Sequence, residues 1–574
     1  MLFRSCNMSK KIIVIGGVAG GASVAARARR LDESAQITMY EKGPNVSFSN
    51  CALPYHLSGM IPDAESIVLM DSEQFKQQYN IDAIVNHEVT AIHAETQTVT
   101  VKDVRTGEVT TDSYDDLFLS PGAVPILPRS IHGIQNTNVF TIRNVDDIKA
   151  LATALKDRKA TNVSVIGGGF IGIEAAENLV KGGYHVNLIE GADHILATID
   201  QDMAQLVQKT MLDNDVRLIV HDTLTAIEND HITLASGKEL PTDIVIMAIG
   251  VKADTELAQQ SGIKLGKTGN IQVNQAFQTN LPHVYAVGDA IEVYQRLLRQ
   301  PTRLNLAFPA QLQARQAVDH AFGRQIRNRG VIGSQCLPVF NMNVASTGLT
   351  ARQCQDAKID YREALVIPKD KVALIPGAKP LYLKLIFAYP SGEILGAQAI
   401  GESGVDKQID IIATAITNHN YVEDLETLEL CYQPTFSTAK NAVNMAGLVA
   451  TNILNGEFKQ IMVSQVRPLV EAGAMLIDVR EPDEFAEGHI ISAKNIPMSR
   501  FREHLDEIPR DQPVYIHCLS GQRSYNVARA LGNKGYHNIY NIAGSFLDLC
   551  EFEYFEDTTQ NRKPIVTNYR FDLL

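Results

Sequence analysis

The chain has 574 residues, 45% of them apolar and 20% charged. These globular proportions exclude disorder and collagen-like structure and leave room for roughly three to five domains. Sixty-five acidic against 52 basic side chains give a formal net charge of −13, which argues against non-specific nucleic-acid binding yet lets a local basic patch hold an anionic ligand. Seven cysteines (Cys6, Cys51, Cys336, Cys354, Cys431, Cys518, Cys550) with no CxxC spacing speak against a disulfide framework or a zinc knuckle. No metal is expected, and a reducing, cytoplasmic compartment fits best. The leading MLFRSCN lacks the apolar core of a secretory signal, and Met8 is a candidate start. The longest uncharged apolar stretch, Ile12–Ala26, is too short to span a bilayer, so no membrane is expected.

In chain order, a buried-type strand Ile12–Ile15 runs into the turn Gly16-Gly17-Val18-Ala19-Gly20-Gly21. A helix Ala19–Leu31 and a strand from Gln36 to Tyr40, ending at Glu41, complete a β-turn-α-β unit. Val18 occupies the middle glycine of a strict GxGxxG, so this fingerprint is imperfect. Its physical parts remain: Gly16 for the tight turn, Gly21 for close helix packing, and a helix N-terminus facing a pyrophosphate across Gly17, Ala19 and Gly20. Glu41 stands where a carboxylate accepts ribose hydroxyls. Cys51 follows, within Ser47-Phe48-Ser49-Asn50-Cys51-Ala52-Leu53-Pro54-Tyr55. The positions five away are Val46 and His56, so no CxxxxC partner exists. A lone cysteine beside a flavin forms mixed disulfides or a sulfenic acid; elsewhere it is a small buried hydrophobe.

After the strand and glycine turn of Leu117–Pro125, the same grammar returns. Gly167-Gly168-Gly169-Phe170-Ile171-Gly172 is a full GxGxxG match between a strand and the helix Phe170–Lys181. The next strand ends at Glu190, whose carboxylate favours a free 2′-hydroxyl; Gly191 and Ala192 supply no arginine for a 2′-phosphate. NADH over NADPH follows. Glu174 is either a solvated face or a nicotinamide contact. Ile244–Thr255 is a further apolar strand and glycine turn, adding Gly250 to the cofactor set, and His283–Ala290 is a strand ending in Gly288-Asp289. From Leu337 to about Val449 strands and helices alternate without a fingerprint. Residues Asn455–Gln460 read as a linker, and an α/β block of about 110 residues follows. There the strand Val514–His517 enters Cys518-Leu519-Ser520-Gly521-Gln522-Arg523-Ser524 and a helix. A cysteine at a strand end, ringed by N–H groups and a helix N-terminus, is an anion cradle for a thiolate or a terminal persulfide. Arg523 closes the loop. This CxxxxR spacing is one residue shorter than phosphate-binding CxxxxxR and suits a single sulfur.

Two resemblances follow. GGVAGGAS, EKGPNVSFSNCALPY, LSPGA, GGGFIG, AVGD and KNAVNMAG, from about Lys11 to Ala450, resemble the single-cysteine pyridine nucleotide-disulfide reductases. The nearest branch is the coenzyme A-disulfide reductases and their NADH-dependent persulfide reductase relatives. Asp478-Val479-Arg480-Glu481, Gly488-His489-Ile490 and the Cys518 loop, about Val463 to Leu549, resemble the single-domain rhodaneses, with Asp478 and Arg480 in structural roles.

The resemblance implies an α/β chain with two Rossmann-like FAD/NAD(P)-binding domains, an α+β dimerisation domain and a C-terminal α/β rhodanese domain. The boundaries are 8–144 (FAD, first part), 145–249 (NAD), 250–330 (FAD, second part), 331–450 (dimerisation) and 460–574 (rhodanese). It implies a homodimer in which FAD meets Gly16, Glu41, Ala310 and Asp289, and NADH meets Gly167, Gly169, Phe170 and Glu190. Coenzyme A would lie near Arg27, Arg30, Ser47 and Asn50. Arg27 and Arg30, three apart on one helix, can meet phosphates on one face or form a solvated basic stripe.

Three positions depart from the family pattern: Leu374-Ile375-Pro376-Gly377 for YYPG, Phe436 for a tyrosine in Gln433-Pro434-Thr435-Phe436-Ser437, and Gln311 for asparagine. They weaken coenzyme A-disulfide reduction and leave persulfide reduction, with its more acidic leaving group, less affected. The expected activity is therefore NADH-linked reduction of coenzyme A persulfide or polysulfide. Hydrogen sulfide is released through a Cys51–CoA mixed disulfide, and Cys518 carries sulfur. Coenzyme A-disulfide reductase, NADH peroxidase or oxidase, and a non-enzymatic redox sensor are the alternatives.

Overall fold

Ile12, Ile13 and Val14 are fully buried and Ile15 is 8% exposed. A strand apolar on both faces must be covered on both, as in a parallel sheet flanked by helices. The computed structural model describes residues 9–571, so Cys6 and Met8 lie outside the described residues. The chain divides into two compact units. One takes in the described residues of Met1–Ile189 together with Thr223–Val331; the other is Glu190–Asp222 with the described residues of Ile332–Leu574.

In the first unit, Lys11–Ile15 (β1), Gln36–Glu41 (β2), Asp82–Val85 (β3), Asp116–Leu119 (β4) and the later strand Val284–Ala286 form a parallel sheet. Its order is Val284–Ala286, β4, β1, β2, β3. The chain leaves β1 for β2 on one side and reaches β4 on the other, so the carboxyl end of β1 is a topological switch point, where such sheets bind ligands. Gly16 sits there with φ +92°, and a Cβ on it would stand 2.2 Å from the Ser120 carbonyl oxygen. A Cβ on Gly21 would stand 1.7 Å from the Gly16 oxygen, so helix Ala19–Leu31 (α1) can only lie this close to the turn with glycine. The arrangement repeats with Val139–Phe140 (β5), Asn162–Ile166 (β6), His185–Ile189 (β7) and Ile244–Met247 (β8). Here β6 lies between β7 and β8, and β5 pairs with β8. The helix Phe170–Lys181 (α2) leaves β6 through the second glycine turn.

In the second unit, helix Gln201–Asp213 (α3) is buried on nearly every side, Asp202 through Gln208 included. The antiparallel strands Gln335–Val339 (β9), Met342–Gly348 (β10), Tyr361–Val366 (β11), Leu381–Ala388 (β12) and Ile394–Gly401 (β13) pair in the order β9, β10, β13, β12, β11. Lys384, mid-β12 and 2% exposed, is neutralised by Asp202 at 2.8 Å, Asp200 at 3.1 Å and Glu363 at 2.5 Å. A buried ammonium is tolerable only when so surrounded. The last sheet is parallel: Lys459–Ile461 (β14), Met475–Asp478 (β15), Lys494–Asn495 (β16), Val514–His517 (β17) and Ile539–Ile542 (β18), in the order β14, β18, β17, β15, β16. Its helices include Pro482–Glu487 (α4), Gln522–Gly532 (α5) and Ser545–Thr559 (α6), and α6 packs on α3.

One expectation shifts: Lys459 and Gln460 belong to strand β14 rather than to a linker, because Tyr540 and Asn541 pair with them.

Candidate active sites

At the first glycine turn, the Gly17 N–H donates to Glu41 Oε2 and the Gly43 N–H to Glu41 Oε1, each at 2.8 Å. The carboxylate expected to bind ribose is thereby fixed against the turn. Ala19 opens α1, and Gly20 is buried beneath Ser120. The 3-10 turn Gly288–Ala290 carries Asp289 close to the helix Ala307–Ala321, where Gln313 Oε1 accepts the Gly288 N–H at 2.8 Å and Ala310 is buried. Burial pushes the Asp289 carboxyl above the usual range, with Arg143 opposing. A desolvated carboxylate fits a hydroxyl-rich partner such as the ribityl chain of a flavin.

Cys51 lies at the start of the 3-10 helix Asn50–His56, which packs on α2. The residue is exposed and its thiol free. Desolvation raises the thiol pKa, and the charges of Glu174 and Asp289 raise it further. Glu174 itself is pushed up to about 7, first by burial and then by Glu177. Desolvation also raises the Tyr55 hydroxyl, followed by Glu174, Glu177 and Cys51. Cys51, Tyr55, Glu174 and Asp289 thus form one electrostatic cluster in which an acid with a pKa near neutrality faces a thiol.

The residues expected to hold coenzyme A are dispersed in role. Arg27 is engaged by Asp319, with Nε donating at 2.9 Å, while Arg30 is exposed. Ser47 has φ +49°, and its N–H donates to the Gly17 carbonyl at 2.8 Å. Asn50 donates to the Arg143 carbonyl at 3.0 Å. At the second turn, Gly172 packs on Gly167 as Gly21 does on Gly16. A Cβ on Gly169 would meet nothing within 4 Å, leaving open space beside the α2 N-terminus where a pyrophosphate fits. Phe170 is half-buried, Ile171 is exposed, and the Gly250 carbonyl accepts the Ile126 N–H at 3.1 Å. Glu190 lies in the second unit, where its Oε1 accepts the Ala192 N–H at 2.8 Å.

The third site is the loop after β17. Cys518 is 1% exposed, and its Sγ accepts the Gly521 N–H at 3.2 Å and the Ser524 hydroxyl at 3.5 Å. Arg523 forms a two-pronged fork on Glu484 of α4, at 2.6 and 2.7 Å. Beneath, burial drives the His517 pKa down, with Asp478 opposing. Arg480, fully buried, donates to Asp478 at 2.7 Å and to the Gly488 carbonyl at 2.6 Å, and lies 4.2 Å over the Phe546 ring. That is a structural clamp, as expected for Asp478 and Arg480. Sequence reading missed Arg143 and Glu484. Each meets its partner across 93 and 39 residues respectively, and no spacing rule reports such pairs. No cluster of metal-ligating side chains occurs among the described residues, and none of their helices is long and apolar enough to cross a membrane.

Two nucleotide-type turns at sheet switch points, with a lone cysteine packed against the second turn's helix, define a flavin- and nicotinamide-linked thiol oxidoreductase. The chain belongs to the pyridine nucleotide-disulphide oxidoreductase family: that model matches residues 10–314, the family's dimerisation domain 336–443, and a rhodanese-like domain 462–551. It is an oxidoreductase of the mixed α/β class, and its family implies FAD and NAD(H). The coenzyme A disulfide reductase of Staphylococcus aureus (strain JH9) is 34% identical over 441 residues, 77% of this chain and 99% of that protein. The structure of reduced Bacillus anthracis CoADR-RHD superposes with a TM-score of 0.92 at 42% identity, covering 95% of this chain and 98% of that one. The NAD-dependent persulfide reductase from A. fulgidus gives a TM-score of 0.89 at 31% identity, covering 94% and 99%. The resemblance read from the motifs therefore holds.

Proposed function

We propose that the chain is an FAD-dependent NADH:coenzyme A-persulfide or polysulfide reductase that releases hydrogen sulfide and handles sulfur on Cys518. Its parts are an FAD-binding domain (8–144 and 250–330), an NAD-binding domain (145–249), a dimerisation domain (331–450) that makes a homodimer, and a rhodanese domain (460–574). Gly16, Gly17, Ala19, Gly20, Glu41, Asp289 and Ala310 hold the flavin. Gly167, Gly169, Phe170, Ile171, Gly172, Glu190 and Gly250 hold the dinucleotide, and Arg30, Ser47 and Asn50 lie along the coenzyme A path. Arg27, engaged by Asp319, contributes only if that pair opens.

The Cys51 thiolate attacks the carbon-bound sulfur of coenzyme A persulfide. A Cys51–S–S–CoA bond forms, the persulfide S–S bond breaks, and its electron pair leaves with hydrosulfide. A flavin held by Glu41 and Asp289 would supply the two-electron chemistry needed to reopen this disulfide, with NADH as the source of hydride. Glu174, with a pKa of about 7, exists in both forms at neutrality; its carboxylate takes up, and its carboxyl returns, the proton that accompanies thiolate formation. The observation that carries the reading is Cys51 itself, a free thiol clustered with Glu174 and Asp289 and lacking a cysteine partner. Persulfide is preferred over coenzyme A disulfide because the exposed Leu374 and Phe436 bring no hydroxyl acid.

Intact-mass measurement of the purified protein tests this. We expect a coenzyme A adduct that a reductant removes and that Cys51→Ser lacks. The same variant should bind FAD and NADH and lose persulfide turnover by on the order of 10³-fold or more. Full turnover in Cys51→Ser would refute the assignment.

A further inference from the structure

The charges lining the Cys518 loop are cancelled in pairs. Arg523, the cation that closes the loop, is clasped by both oxygens of Glu484 at 2.6 and 2.7 Å. The fork holds Glu484 below the usual carboxylate range and raises Arg523 above its ordinary value. Deeper in, Arg480 is matched by Asp478. Burial keeps His517 neutral. The sulfur is reached by the Gly521 N–H at 3.2 Å, the Ser524 hydroxyl at 3.5 Å and the partial positive charge of the α5 N-terminus, and by Arg523, the cation whose charge Glu484 offsets. Both members of the Arg523–Glu484 pair are about one-third exposed, so the pair is reachable from solvent while Cys518 is buried.

We infer that Glu484 is a specificity-determining residue that sets the charge of the sulfur donor accepted by Cys518, admitting monoanionic persulfides and disfavouring dianionic thiosulfate. The inference rests on the reading of Cys518 as the sulfur-carrying nucleophile. A dianion entering this loop needs uncompensated cations, and Glu484 removes the one the loop brings. A persulfide, R–S–S⁻, carries a single charge, which the neutral donors and the helix terminus can satisfy. Cys518 Sγ attacks the outer sulfur, the Cys518–S bond forms, and the old S–S bond breaks with its electron pair leaving on R–S⁻. The product is a Cys518 persulfide anion, and no external oxidant or reductant is needed. With thiosulfate the same attack would expel sulfite.

Coulomb interaction scales with the donor's charge, so removing the Glu484 charge favours the dianion twice as strongly in free energy. The dianion's gain is then the square of the monoanion's. The full-length holoenzyme is assayed for sulfur transfer to cyanide from thiosulfate and from 2-hydroxyethyl persulfide, whose tail is neutral. In Glu484→Gln the thiosulfate-to-persulfide ratio of kcat/KM should rise about tenfold, mostly through a lower KM for thiosulfate. Glu484→Asp should stay within about twofold of the parent ratio, because the charge is kept. An unchanged ratio in folded Glu484→Gln overturns the inference. Should that variant not fold, Arg523→Ala decides: it leaves Glu484 uncompensated, so a falling ratio supports the role and a constant ratio overturns it. Cys518→Ser separates the underlying reading, since retained sulfur transfer there removes Cys518 as nucleophile whatever Glu484 does.

Discussion

Glu174 makes the Cys51 site sensitive to pH. With a pKa of about 7, it is neutral in mildly acidic solution and an anion above neutrality. As an anion it opposes formation of the Cys51 thiolate, second only to desolvation. Glu174→Gln should therefore speed iodoacetamide alkylation of Cys51 at pH 8 by about three- to tenfold and change it little at pH 6. An identical rate at pH 8 would detach Glu174 from the thiol. If the Glu190 carboxylate holds the ribose of the dinucleotide as proposed, kcat/KM for NADH should exceed that for NADPH by at least about tenfold, and Glu190→Ala should narrow the gap. A parent enzyme preferring NADPH would contradict this reading. Cys51 and Cys518 stood out in the sequence because each sits in a string whose neighbours have fixed geometric duties. Glu174 was left open between a solvated face and a nicotinamide contact, since a carboxylate on a helix near a glycine turn reads alike in both. The packing of α2 on the 3-10 helix Asn50–His56 shows that it is not simply a solvated face, because burial raises its pKa.

Elements with strong punctuation were the readable ones. Helices Ala19–Leu31 and Phe170–Lys181 and strand Val514–His517 have the bounds their glycine turns and apolar runs announce. The short strand β14 was not readable, because Lys459, Gln460 and Ile461 contain a single apolar residue and owe their conformation to the neighbouring β18. The glycine turns allow a direct test. Gly21→Ala must push α1 off the Gly16 carbonyl, so flavin content by absorbance should fall below about a tenth, and full occupancy would show that the turn tolerates displacement. Helix α6 carries a different signature. Burial pushes Glu551 from 4.5 to about 7, with Lys209 opposing. The folded state therefore holds this proton more tightly than the unfolded chain, and the contribution is present below about pH 4.5 and lost as pH rises through 7. Glu551→Gln should melt higher than the parent at pH 8, by up to ~2 kcal/mol, with no gain at pH 4. Equal gains at both values would refute the assignment.

For the whole molecule the question is whether the two sulfur chemistries form a relay. If Cys518 feeds Cys51, Cys518→Ser should abolish sulfur transfer to cyanide and cut NADH-linked polysulfide reduction at least about fivefold. Coenzyme A persulfide, small enough to reach Cys51 directly, should still be reduced in part. Unchanged polysulfide turnover would make the C-terminal block a passenger. The order of the parts along the chain was legible from two repeated fingerprints and one anion loop. Their packing was not, because helix α3 is covered by a helix more than 300 positions away. That burial of α3 beneath α6 has an evolutionary consequence. A stop codon after the dimerisation segment would strip α3 of the helix that roofs it and bare side chains, Gln205 and Gln208 among them, that are now fully buried. A lineage shedding the C-terminal block would have to refit α3 to water. Ancestry should therefore be traceable at that helix, in the side chains that met α6 where the fusion persists and in their replacements where the gene was cut short.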